Sequence, residues 1–181
     1  MSFYYEVNIV YKQLFCSSLF NKNCFILLEV VKQYDCCTIK WKSNRKVGIF
    51  MLEVYIDAAS AGNPGPSGIG IFIKGEGHHV QISEYIGHTN NHIAEFTALV
   101  RGLEEAQKLG TNLVSVRSDS KVVVASIEKE YVKNEEFKPF LEQALKLASN
   151  FDLFFIKWIP DGQNKAADAL ARNAIQKEKN E

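Results

Sequence analysis

Hydrophobic and polar positions after Met51 first follow the period of β-strands. Apolar residues alternate with other residues in "MLEVYID" (51–57), "GIGIFIK" (68–74) and "HHVQISEYIG" (78–87), which is the pattern of strands with one buried face. The turn sequence "GNPGPS" separates the first two segments. These segments therefore predict an antiparallel meander of three strands.

The pattern then changes to the period of a helix. In residues 94–110 the apolar side chains recur at i, i+3, i+4, i+7 and i+10 from Phe96, and Gly110 is expected to end this helix. Strands mixed with helices in this order indicate a mixed sheet covered by helices. The remaining predicted elements are a strand at 111–119, helices at 120–131 and 135–150, a strand at 151–160 and a helix at 164–181.

Residues 1–50 differ from the rest in composition. They hold seven Lys or Arg and three acids, which leaves 14 basic and 18 acidic residues, a net charge of minus four, for residues 51–181. All four cysteines precede Met51, without a CxxC pair or a nearby His, which disfavours a zinc site. We expect 1–50 to be a poorly ordered appendage or a mistranslated leader, with Met51 as the natural start; a basic and aromatic arm around Trp41 is the alternative.

No stretch of the sequence predicts a membrane segment. The longest apolar run, "CFILLEVV", is interrupted by Glu29 and is too short to span a bilayer. The N-terminus also lacks the features of a secretory signal. We therefore expect a cytoplasmic protein with no membrane partner.

Four carboxylates stand at the ends or edges of the predicted elements. Asp57 ends the first strand, Glu95 lies in the first turns of the first long helix, Asp119 ends the fourth strand, and Asp168 opens the last helix. If the first and fourth strands are neighbours, their carboxyl ends bring two of these acids together. Carboxylate oxygens suit Mg²⁺ or Mn²⁺, and two such ions form a clamp for displacement at phosphorus.

Each acid taken alone also has a simpler explanation. Glu95 and Asp168 are favourable near helix N-termini, because the helix dipole attracts negative charge there. Asp119 lies between two serines and could cap a helix. Asp57 is the hardest to explain structurally, since a charge in a buried strand is unfavourable without a partner.

Four segments together resemble the type 1 ribonuclease H family: "YIDAASAGNPGPSGIG", "NNHIAEFTALVRGLE", "VRSDSKVVV" and "NKAADALARNA". The resemblance covers residues 51–181 and implies an α/β, ribonuclease H-like catalytic domain. Its sheet would be five-stranded and mixed, in the order 3-2-1-4-5, with helices on both faces. The implied activity is endonucleolytic hydrolysis of the RNA strand of RNA/DNA hybrids, which leaves 5′-phosphate and 3′-hydroxyl ends.

The resemblance also implies roles for individual residues and two Mg²⁺ or Mn²⁺ ions per site. Asp57 is similar to the acid that bridges both ions, Asp168 to the ligand of the ion that activates water, and Glu95 and Asp119 to ligands of the second ion. Glu95 further resembles the residue that senses a ribose 2′-hydroxyl. The residues matching substrate contacts are Ala58, Ser60, Gly62, Asn63, Asn90, Asn91, His92 and Lys121. For Gly62, a role as turn former is equally compatible.

Two departures from the family pattern leave alternatives open. The loop "WIPDGQNKAAD" has no His before its last acid, and only "YVKNE" stands where several members insert a basic helix. This short form without the basic protrusion is expected to bind hybrids weakly and in a salt-sensitive way, as a monomer. A weakly active or inactive module that binds nucleic acid or a protein is the alternative, and a nuclease for DNA or structured RNA would share the same site chemistry.

Overall fold

A five-stranded mixed sheet forms the centre of the protein. The computed structural model describes residues 51–75 and 77–178, so the predictions for residues 1–50 lie outside the described residues. The strand order is β3-β2-β1-β4-β5, as predicted, with β1 parallel to β4 and antiparallel to β2. The strands are β1 (Leu52–Ser60), β2 (Gly65–Gly75), β3 (His78–Thr89), β4 (Leu113–Ser118) and β5 (Leu153–Trp158).

Four α-helices accompany the sheet in the described residues. The first begins directly after Asn90, whose side chain accepts a hydrogen bond from the His92 amide, so it starts three residues before the predicted bound. The predicted helix at 135–150 begins with a 3₁₀ turn, Glu135–Phe137. The helices are α1 (Asn91–Lys108), α2 (Lys121–Lys129), α3 (Lys138–Ala148) and α4 (Lys165–Glu178).

The main core lies between the sheet and α1. Alternate residues of β1 point to this side, and Leu52, Val54 and Ile56 are almost fully buried there. The apolar stripe of α1, which includes Phe96 and Leu99, packs against them. Burial of this continuous apolar surface fixes β1 in the middle of the sheet.

Helix α4 covers the opposite face of the sheet at close range. A Cβ atom at Gly70 would lie 2.0 Å from the carbonyl oxygen of Ala167, so only glycine allows this approach. The small residues of α4 match that requirement, since Ala167 and Ala171 are fully buried. The Ser83 hydroxyl of β3 also donates a hydrogen bond to the Leu170 carbonyl, 2.7 Å away. Helices therefore lie on both faces of the sheet.

The prediction that Asp57 ends the first strand is wrong. Strand β1 continues to Ser60, because it keeps pairing with β2 up to the pair Ser60–Ser67. The pairing of β1 with β4, in contrast, ends at Ile56, one residue before Asp57. Asp57 therefore lies inside β1, at the point where one of its two neighbouring strands ends.

Membrane insertion finds no support in the described part of the chain. Among residues 51–75 and 77–178, no helix combines the length and the apolar character needed to span a bilayer.

Candidate active site

Strand register places Asp57 and Asp119 side by side. Ile56 of β1 pairs with Ser118 of β4 as the last pair of their parallel ladder. Asp57 is the next residue of β1, and Asp119 directly follows the end of β4. The end of this ladder thus brings the two acids together.

The Asp57 carboxyl group is the electrostatic centre of the site. Burial raises its pKa to about 7, and the negative charges of Asp119, Asp168 and Glu95 act in the same direction. A hydrogen bond from the Ala58 amide, 2.8 Å long, lowers the pKa but does not compensate. All four predicted acids are therefore close enough for the other three to disfavour ionisation of Asp57.

Glu95 approaches this group from helix α1. Its carboxylate is 17% exposed and accepts hydrogen bonds from the Ser120 hydroxyl at 2.5 Å and from the Asn91 side-chain amide at 3.1 Å. His92 Nδ1 lies 3.2 Å from Glu95 Oε2. Because Ser120 also caps helix α2, its hydroxyl links Glu95 to the segment that carries Asp119.

Asp119 and Asp168 have different surroundings. Burial raises the pKa of Asp119, although hydrogen bonds from its own backbone and from Asn164 lower it. Asp168 lies in the first turn of α4, and its Oδ1 accepts a 2.6 Å hydrogen bond from Arg172. The Asp168 side chain is 31% exposed, compared with 17% for that of Glu95.

Asn164 was missed by the sequence reasoning. Its side chain is 1% exposed, and its Nδ2 donates to the carbonyl of Ile56 at 2.9 Å and to Asp119 Oδ1 at 3.3 Å. The only available signal was a polar residue four positions before Asp168, which is also the pattern of an ordinary helix start.

The predicted substrate-contact residues surround this group in two places. Asn63, in the turn after β1, accepts a hydrogen bond from the Asn91 amide at 3.2 Å, which joins this turn to the start of α1. Gly62 in the same turn has φ +125, which favours its role as turn former. Ser60 shares a 2.8 Å hydrogen bond with the Ser67 hydroxyl and is held inside the β1–β2 hairpin.

Lys121 lies on the other side, next to Asp119 in the chain. Its ammonium group is 5.1 Å from the centre of the Trp158 ring, and the ring's Nε1 donates to the Asp119 carbonyl at 2.9 Å. Trp158 is 38% exposed and was not among the predicted site residues. It joins a cationic side chain to the backbone of one of the four acids.

Comparison with known proteins identifies the chain's relatives. A family model described as reverse transcriptase-like matches residues 56–174. An Enterococcus faecalis protein with the provisional name hydrolase EbsB is 46% identical over 129 residues, which cover 70% of this chain and 96% of that protein. Ribonuclease HI of Halobacterium salinarum is 33% identical over 127 residues, 68% of this chain and 64% of the relative. The chain belongs to the type 1 ribonuclease H family.

Solved structures of ribonucleases H share the fold. The crystal structure of RNase H1 from Halobacterium salinarum has a TM-score of 0.66 at 32% identity and covers 70% of this chain and 98% of its own. LC11-RNase H1, an enzyme isolated from compost, was solved in complex with an RNA/DNA hybrid; it has a TM-score of 0.65 at 35% identity, with 70% and 98% covered. The predicted family, fold and enzyme class, a ribonuclease H, are thus confirmed.

The acids of this ribonuclease H fit divalent ions in their chemistry. Carboxylate oxygens are hard ligands of the kind that Mg²⁺ and Mn²⁺ prefer, and a cation would relieve the repulsion around Asp57. Asn164 Oδ1, buried without a hydrogen-bond partner in the described part of the chain, is a further hard oxygen beside Asp119. In this conformation no three His, Cys, Asp or Glu side chains of residues 51–75 and 77–178 converge closely enough to hold an ion. Glu95 and Asp168 bond instead to protein donors.

Proposed function

We propose that this chain hydrolyses the RNA strand of RNA/DNA hybrids as an endonuclease and leaves 5′-phosphate and 3′-hydroxyl ends. The observation that carries the proposal is the cluster of Asp57, Glu95, Asp119 and Asp168, in which burial and the other three carboxylates together raise the pKa of Asp57. Arg172 is the one Lys or Arg that pairs with any of these acids in residues 51–75 and 77–178, and divalent cations would relieve the repulsion among the four carboxylates. The hybrid bound to LC11-RNase H1, a relative of the same fold, supports the choice of substrate.

The four acids, Asp57, Glu95, Asp119 and Asp168, would hold two divalent ions, Mg²⁺ or Mn²⁺. When bound, these ions supply the positive charge that activates a water and stabilises the leaving oxygen. Asp168, whose side chain is more exposed than that of Glu95, would be a ligand of the ion that activates the water. Glu95 is held by Ser120 and Asn91, which orients its carboxylate towards a ribose 2′-hydroxyl and distinguishes RNA from DNA.

Substrate contacts come from the two flanks of the acid cluster. On one flank are the turn with Gly62 and Asn63 and the start of α1 with Asn90 and Asn91, joined by the hydrogen bond between Asn63 and Asn91. These groups are neutral and suit the sugars and base edges of a minor groove. On the other flank Lys121 supplies positive charge for a phosphate.

A weakly active or inactive nucleic-acid-binding module is the second candidate. It is favoured by the loop before Asp168, where the 3₁₀ turn Asp161–Gln163 carries no His. General acid or base assistance contributes about 10²- to 10⁴-fold in rate, so a slow enzyme that still binds its ions is compatible with this loop.

Cleavage of end-labelled RNA in a hybrid, in Mg²⁺ and separately in Mn²⁺, tests the proposal. Asp57→Asn is the control, and double-stranded DNA and RNA of the same sequence test the substrate class. We expect cleavage of the hybrid alone, with 3′ ends that a polymerase can extend. Absence of cleavage in both metals, or cleavage unchanged by the substitution, would reject the nuclease and leave the binding module.

We further propose a monomer in the cytoplasm. The predicted weak hybrid binding follows from the net charge of minus four in residues 51–181. Sedimentation of the free protein and of its hybrid complex at two salt concentrations checks the oligomeric state and the binding together.

A further inference from the structure

One buried residue, Asn164, connects the segments that carry three of the four acids. Asn164 immediately precedes helix α4, and its backbone carbonyl accepts a hydrogen bond from the Asp168 amide at 3.1 Å. Its side-chain amide reaches the carbonyl of Ile56, the residue before Asp57, at 2.9 Å. The same nitrogen lies 3.3 Å from the carboxylate of Asp119.

An amide group suits this position for a specific chemical reason. The NH₂ group of Asn has two hydrogens, so one nitrogen serves a backbone carbonyl and a carboxylate at once. Neither Asp nor Ala can replace both donors, and a buried carbonyl left without a partner is strongly unfavourable. At 1% exposure, Asn164 excludes water as a substitute donor.

We propose that Asn164 is a positioning residue that sets the separation of Asp57, Asp119 and Asp168 for binding of divalent ions. The inference rests on the proposed function of the acid cluster. Asn164 acts through the acids, because its side chain fixes two neighbouring strand ends and its backbone fixes the first turn of α4. Groups that orient metal ligands typically change metal affinity or activity by about 10- to 100-fold when they are removed.

The chain offers a matched control for the structural part of this role. Ser83 also ties the sheet to α4, through the 2.7 Å hydrogen bond from its hydroxyl to the Leu170 carbonyl, and it touches none of the four acids. Ser83→Ala therefore loosens the same helix without disturbing the proposed ligands. Comparison of Asn164→Ala with Ser83→Ala separates positioning of the acids from anchoring of the helix.

The deciding measurement is the rise in melting temperature of the full chain during titration with Mg²⁺ and with Mn²⁺. We expect wild type and Ser83→Ala to be stabilised at the same metal concentration. Asn164→Ala should need about 10- to 100-fold more metal for the same shift. Asn164→Asp keeps the size of the side chain but has no donor when ionised and only one when protonated, so it should show the same loss and serves if the Ala variant does not fold.

Hybrid cleavage is then measured on the same variants, so that failure of the positioning role can be distinguished from failure of the proposed function. If Asn164→Ala titrates like wild type, or if no variant responds to either metal, the positioning role is wrong. Metal-induced stabilisation of the wild type without hybrid cleavage would reject the proposed function but leave the positioning role standing. Two results together would support the proposed function and the positioning role. Ser83→Ala should cleave the hybrid, and Asn164→Ala should cleave it slowly unless excess metal is added.

Discussion

Two carboxylates on the same face of β1, Glu53 and Asp57, have opposite environments. Glu53 accepts hydrogen bonds from Arg117 and from Tyr55, and Lys74 lies 3.1 Å away. Burial raises the pKa of Glu53, but the hydrogen bonds from Arg117 and Lys74 outweigh it and lower the pKa to about 2. The pKa of Asp57 is instead raised to about 7.

The difference shows that the fold supplies cationic partners to Glu53 and acidic neighbours to Asp57. Glu53 and Asp57 are four residues apart on one strand. Glu53 forms ion pairs with Lys74 and Arg117. Asp57 forms no ion pair in residues 51–75 and 77–178, and it has acids as neighbours. Glu53 is therefore a structural charge, whereas the negative charge of Asp57 is disfavoured by its surroundings. The predictions below use this contrast.

The largest effect is expected for Asp57→Asn. In the proposed mechanism Asp57 is a metal ligand, and a loss of several kcal/mol of transition-state stabilisation corresponds to a decrease in the cleavage rate of at least about 10³-fold. The same substitution should stabilise the metal-free protein at pH 8, because it removes the charge that its neighbours repel. Rates from labelled hybrid and urea unfolding in EDTA measure the two effects, and a less stable variant would contradict the contrast.

Glu53→Gln should show the reverse pattern. The half-buried Arg117 loses its carboxylate partner, so the free energy of unfolding should fall by about 2 kcal/mol. Cleavage should stay within about twofold of wild type, since Glu53 contacts none of the four acids. A large loss of cleavage without a loss of stability would show that Glu53 affects the acid cluster, and it would contradict the contrast between Glu53 and Asp57.

The pH dependence of stability should separate the two acids without metal. The pKa of Glu53 is lowered on folding, so its stabilisation is present above about pH 4.5 and is lost as the pH falls towards 2. The pKa of Asp57 is raised on folding, so between about pH 4 and 7 the native state holds a proton that the unfolded chain has lost. Its contribution to stability therefore decreases as the pH rises through that window. Urea unfolding of wild type, Glu53→Gln and Asp57→Asn from pH 3 to 8 should give difference curves of opposite slope.

The smallest effect is expected from a comparison of two lysines. Lys121 is held by Trp158 beside Asp119, whereas Lys74 belongs to the Glu53 group. Lys121→Ala should weaken hybrid binding several-fold and should reduce the slope of log binding constant against log salt concentration by about one. Lys74→Ala should leave the affinity and this slope unchanged. Fluorescence anisotropy with labelled hybrid, in the Asp57→Asn background to prevent cleavage, measures this. Equal effects of the two substitutions would argue against a phosphate contact at Lys121.

The sequence was sufficient where the information is local. Alternation of Leu52, Val54 and Ile56 predicts β1, and the apolar repeat from Phe96 predicts α1, because both patterns depend on near neighbours. The convergence of Asp57 and Asp119 follows from one further assumption, that their strands are adjacent. The extension of β1 to Ser60 was missed, since residues 58–60 carry no alternating apolar pattern and pair only through β2.

Contacts between distant segments could not be predicted in this way. Asn164 meets Ile56 across 108 positions of the chain, and Ser120 meets Glu95 across 25. The pairing of Glu53 with Arg117 likewise depends on the register of β1 against β4. Asn, Ser and Arg are common in loops and on surfaces, so their type alone does not reveal that they hold the site together.

The glycine in the middle of β2 has a consequence for chemistry as well as for packing. Gly70 is the direct partner of Asp57 in the β1–β2 ladder, and the space of its missing side chain is filled by Ala167, the neighbour of Asp168. A methyl side chain at position 70, as in Gly70→Ala, would push the start of α4 away from the sheet. Asp168 would then move away from Asp57. The position of Asp168 relative to Asp57 therefore depends on the absence of a side chain at Gly70.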